Sequence, residues 1–127
     1  MIDARVLLDA GRPDGAVYLA GYAVECAWKH ALAGAFGQAG VRALEHGLER
    51  GTVGRAAWAA AASGDRDLLR VQLAPREVRD GHPGRRYWPD RWSAEQAETV
   101  VVFAEVAVER CVLGPALDRG LDLKELR

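Results

Sequence analysis

Ala16, Ala20, Ala23, Ala27 and Ala31 recur every three or four residues, a period that lines one face of an α-helix and that no strand can bury on one side. Val17, Val24, Trp28 and Leu32 widen this small-residue stripe into a broad apolar face. The spacing predicts a helix opening at Pro13 or Asp14 and running to about Phe36, central enough to be packed by other helices. Gly21, which costs about 1 kcal/mol relative to Ala in a helix, is expected where a neighbouring helix crosses closely. With 127 residues the chain is expected to form a single domain over 1–127, built around one core.

The other elements follow from shorter periods. Ile2, Val6, Leu7 and Ala10 predict a first helix stopped by Gly11. Gly37 to Gly40 is read as a break, after which Val41, Leu44 and Leu48 resume helical spacing to Glu49. Arg55 to Ala62 predicts another turn or two, and Asp65 can cap a stretch to Leu73 that Pro75 stops. From Pro75 to Trp92 there is no sustained period, and the segment is read as a long loop. Ser93-Ala94-Glu95-Gln96 has the form of a capping box. It opens a long helix whose β-branched middle, Val100-Val101-Val102, is outweighed by the cap, the acidic first turn and the absence of a turn signal before Gly114-Pro115. The fold class expected is all-α.

The stretch Gly11-Arg12-Pro13-Asp14-Gly15-Ala16-Val17-Tyr18-Leu19-Ala20-Gly21-Tyr22-Ala23-Val24-Glu25-Cys26-Ala27-Trp28-Lys29 resembles the signature helix of HEPN domain proteins. In that family a glycine-bounded turn and an aromatic lead into Ala-Val-Glu-Cys-Ala-Leu-Lys. His46-Gly47-Leu48 and Arg86-Tyr87 resemble two later family segments. The resemblance implies an up-and-down bundle of four to five helices, frequently a homodimer. It implies one of two roles: a nucleotide- or RNA-binding accessory module that partners a nucleotidyltransferase in a toxin-antitoxin or defence context, or a metal-independent ribonuclease toxin. Active members carry an arginine and a histidine four to six residues apart, usually at the start of the last helix. Arg76 and His82 have a permitted spacing of five but sit in the segment read as loop; Arg42 and His46 are separated by only three residues.

The candidate binding residues fall in two groups. Tyr18, Tyr22, Glu25 and Lys29 are spaced four, three and four, on one helix face, with Glu25 before Lys29 in the favourable order for an ion pair. They read either as a polar groove with rings for a base and Lys29 for a phosphate, or as a solvated pair beside half-buried tyrosines. His46 is either a core histidine near Glu25 or Lys29 or a proton-transfer group. The second group is Arg85, Arg86 and Tyr87, within a segment where Arg76, Arg79 and Arg91 interleave with Trp88 and Trp92. Guanidinium forks bind phosphate and aromatic faces stack bases, or the rings plug the loop onto the bundle and the arginines are solvated. His30 is expected as a partly exposed helix residue.

Charge and cysteine usage narrow the classes. The formal net charge is -1, spread as 0 over residues 1–64, +2 over 65–92 and -3 over 93–127. A general DNA binder shows a basic excess over the whole domain, so any nucleic-acid contact should be local. The longest run without charged or strongly polar side chains, Ala16 to Val24, is nine residues, against the roughly 20 that cross a bilayer. No basic, then apolar, leader opens the chain, and two cysteines make no disulfide framework, so a cytoplasmic protein with Cys26 and Cys111 reduced and buried is expected. Three histidines without metal spacing give no zinc signature, and no cofactor is expected.

Overall fold

Gly11 ends the first helix. In the computed structural model, which describes residues 1–44, 55, 56, 59, 78 and 91–114, α1 spans Ile2–Asp9 and Ala10 caps it. Gly11 takes φ +71°, donates its N–H to the Leu8 carbonyl at 3.0 Å, and lets Arg12 N–H reach back to the Leu7 carbonyl at 2.8 Å. This pair of bonds is a Schellman ending, which needs a left-handed residue that glycine adopts without a Cβ penalty. The chain reverses at once into α2, Pro13–Arg42. Proline at the first helical position loses no hydrogen bond there, since that N–H would be unpaired in any case.

α2 is kinked where its spacing predicts a break. Of Gly37 to Gly40 the non-helical residue is Gly37, at φ 70° and ψ 166°, a region almost closed to residues with a Cβ. Helical geometry resumes directly beyond it and runs to Arg42, so α2 is two helical pieces that meet at Gly37; of the stretch expected to be helical from Val41 to Glu49, residues 45–49 lie outside the described residues. Gly34, three residues before Gly37, is an ordinary helical glycine with open space where a Cβ would sit. These two glycines therefore have opposite expectations. Gly34→Ala should stabilise by about 0.5–1 kcal/mol through helix propensity, whereas Gly37→Ala should cost about 1–3 kcal/mol through backbone strain. Urea unfolding of the two variants checks the sign of each.

α3, Ala94–Val108, opens on the capping box expected from the sequence: Ser93 Oγ accepts from Gln96 N–H and the Gln96 side chain accepts from Ser93 N–H. Such a cap contributes about 1 kcal/mol. The helix continues into a π-helical turn, Glu109–Leu113, that places Cys111 in the core. All described elements are helical, with no strand among the described residues.

The core is small-residue packing of α2 on α3. Ala16, Val17, Ala20, Val24, Ala27, Trp28 and Leu32 from α2 meet Ala97, Val100, Val101, Ala104 and Ala107 from α3, and Ala4 of α1 closes one side. Alanines at the crossing let helix axes approach and place backbones rather than long side chains in contact. Gly21, read as a crossing point, is buried. Gly15 sits under α1, where an added Cβ would meet Leu7 Cδ1 at 3.1 Å. On the outside Arg5 of α1 grips α3, giving Nη1 to both Glu98 oxygens at 2.7 and 2.8 Å and Nη2 to both Glu105 oxygens at 3.0 and 2.9 Å. Those bonds, to Glu98 first and Glu105 second, raise an already high guanidinium pKa, so Arg5 is a permanent cation.

Two expectations are corrected here. Cys26 is exposed, and only Cys111 is buried: at 100° per residue Cys26 lies about 200° round α2 from Val24, on the flank away from the core. Val78, within the stretch read as a long loop, is helical and fully buried. A lone valine among charged residues leaves no period to detect, yet it reaches the core. No helix among the described residues is long and apolar enough to cross a membrane.

Candidate functional site

Asp14, Tyr18, Tyr22, Glu25 and Lys29 follow one another at spacings of four, four, three and four along α2, and so form one stripe. Asp14 stands at its N-terminal end. Its Oδ1 accepts the backbone N–H of Arg91 at 3.0 Å and of Trp92 at 3.2 Å. A carboxylate expected to help open α2 thus ties the approach to α3 onto it, and the two long helices begin side by side. The end of the arginine- and aromatic-rich segment is thereby fixed to the stripe that carries the tyrosines and the lysine.

The Arg91 guanidinium carbon lies 5.4 Å from the centroid of the Trp92 ring, a cation–π geometry, and Trp92 is half-buried against the core.

Further along the stripe the tyrosine rings are 5.1 Å apart, centroid to centroid, with planes at 80°. Edge-to-face packing of this kind is a favoured aromatic geometry and holds each ring by the other. One turn on, Glu25 Oε1 accepts from Lys29 Nζ at 2.9 Å. The side chains differ sharply in burial: Glu25 is 2% exposed and Lys29 23%. The solvated-pair reading therefore fails for the carboxylate, which is among the largest fully buried side chains of the protein. Taking a carboxylate out of water costs several kcal/mol unless it is paired, and the ammonium that pairs it remains reachable from outside.

Trp28, 2% exposed, follows Glu25 by three residues and brings a second polar group into the core. Its Nε1–H has no hydrogen-bond partner among the described residues. Sequence reading placed Trp28 in the apolar face by its ring and gave no sign that the indole N–H would be left unpaired.

His30 is exposed on α2. The remaining candidates, His46, Arg76, His82, Arg85, Arg86 and Tyr87, lie outside the described residues. No group of three or more metal-ligating side chains is assembled among the described residues. No protein-family model matches the chain, and comparison with curated proteins and with solved structures gives no match. What the site can do rests on its own chemistry: two aromatic rings in contact, a cation held by a buried anion, and Arg91 and Trp92 tied to Asp14 at one end of the stripe.

Proposed function

We propose that this chain is an HEPN-type accessory module that binds nucleotide or RNA along the Tyr18–Tyr22–Glu25–Lys29 stripe of α2. The observation that supports this reading is the stripe itself: Tyr18 and Tyr22 in ring contact on the face that carries Lys29, whose ammonium is held by the buried Glu25. Tyr18 and Tyr22 offer surfaces for a base, and Lys29 offers charge for a phosphate. Glu25 fixes where that charge sits. The resemblance of residues 11–29 to the HEPN signature supports the same assignment, and with it a cytoplasmic homodimer and a nucleotidyltransferase as protein partner.

The test is fluorescence anisotropy with a short labelled single-stranded RNA and, separately, a labelled adenine nucleotide. Tyr22→Ala should weaken RNA binding by about 1–3 kcal/mol, the worth of one stacked base. The double change Arg85→Ala and Arg86→Ala should weaken it and flatten the dependence of log K on log salt by about 0.7 per lost phosphate contact. Binding unchanged by both sets of substitutions would end the proposal. Cleavage of the RNA in excess EDTA, lost in His82→Ala, His46→Ala or Arg76→Ala, would replace it with the ribonuclease reading.

A further inference from the structure

A different face of the protein combines exposed apolar side chains with charge of one sign. On α3 the residues Glu95, Glu98, Val102, Glu105, Val106 and Glu109 fall within an arc of about 100° round the helix, and they point away from the α2 contact made by Ala97, Val100, Ala104 and Ala107. Val102 is 44% and Val106 38% exposed. Beside this stripe α1 presents Ile2 and Val6, both exposed and one turn apart, with exposed Asp9 a turn beyond Arg5. The Arg5 grip on Glu98 and Glu105 joins the two ridges.

The charge balance of this face decides what it fits. Asp9, Glu95, Glu98, Glu105 and Glu109 give five carboxylates. Against them stand the Met1 ammonium at one edge, Arg110 one turn beyond Val106, and Arg5, whose two terminal nitrogens are already bonded to all four oxygens of Glu98 and Glu105; five carboxylates against three cations leave the face acidic. A second copy of the chain docked through the same face would set carboxylates against carboxylates, since an isologous interface meets itself. RNA is repelled for the same reason. A helix with an apolar stripe at i, i+3, i+4 and i+7, flanked by lysine or arginine, satisfies both the valine ridge and the carboxylates.

We infer that the α1–α3 face, centred on Val102 and Val106 and rimmed by Glu95, Glu98, Glu105 and Glu109, docks a basic amphipathic helix of another protein. The carboxylates steer and orient it, and the valines with Ile2 and Val6 supply the buried apolar contact. This face lies on other helices than the Tyr18–Lys29 stripe and does not depend on the function proposed for it.

The experiment uses the full chain and a fluorescein-labelled peptide of about 18 residues, five helical turns, with leucines in one helical stripe and lysines elsewhere. A second peptide has the same composition with the leucines scattered, and a third carries glutamate in place of lysine. The striped basic peptide should bind, and the other two should bind at least about tenfold more weakly, a difference of about 1.4 kcal/mol. The double change Val102→Ser and Val106→Ser should weaken binding about tenfold without altering the helical circular dichroism. The double change Glu95→Gln and Glu109→Gln should weaken it and reduce its salt dependence. Phe36→Ser, which removes an exposed ring on α2, should leave it unchanged. Equal binding of the striped and scattered peptides would overturn the inference, as would affinity that survives the valine substitutions. Self-association in sedimentation that disappears with Val102→Ser and Val106→Ser would overturn it in favour of a second copy.

Discussion

Trp28→Ala is expected to lose about 3–5 kcal/mol of stability, the range for emptying a buried tryptophan site, while Trp28→Phe is expected to lose less than about 1.5 kcal/mol. The difference comes from the indole N–H. Trp28 sits in the core with its Nε1–H buried and unbonded among the described residues, and a donor left so gives up its water without replacement, a cost of about 1–3 kcal/mol. Phenylalanine keeps most of the ring volume and removes the donor, so the small cavity it leaves is offset by the relief of that cost. Urea denaturation followed by far-ultraviolet circular dichroism measures both variants. Equal losses for Phe and Ala would mean that the indole is held by packing of its outer ring and that the unbonded nitrogen costs little.

The same residue marks how far the sequence could be read. Trp28 was assigned to the core because helical spacing places it with Val24 and Leu32, and spacing depends only on backbone geometry. α1, the broad buried face of α2 and the capped start of α3 were legible for that reason, as was Gly11, whose position after a periodic run is what a helix ending demands. The burial of Glu25 was not legible. A Glu and Lys four residues apart look the same on a solvated face as on a buried one, and the difference lies in which neighbours pack over them. The tie between Asp14 and the amides of Arg91 and Trp92 was hidden for another reason: it links residues 77 and 78 positions apart through backbone N–H groups, which every residue type but proline possesses. The break at Gly37 was legible from its glycines, while the immediate resumption of helix beyond it depended on a local choice between ending and kinking that glycine permits equally.

Lys29→Met is expected to destabilise the protein by about 3–4 kcal/mol, the lower part of the range for breaking a buried ion pair, because the lysine keeps partial access to water. The partner left behind is the more costly of the two: a carboxylate 2% exposed that has lost an ammonium 2.9 Å away. Changing Glu25→Gln as well removes that buried charge. A double-mutant cycle over Glu25→Gln and Lys29→Met should therefore give a coupling energy of about 1–3 kcal/mol, the range for residues in direct contact. Additive losses would show that Glu25 is held by its other surroundings. The cycle also separates the roles assigned on the stripe. If Lys29 contacts phosphate and Glu25 only positions it, Glu25→Gln leaves the cation in place and should reduce RNA affinity less than Lys29→Gln, which removes it. The reverse order would make the buried carboxylate itself the recognition group, with the lysine serving to keep it charged.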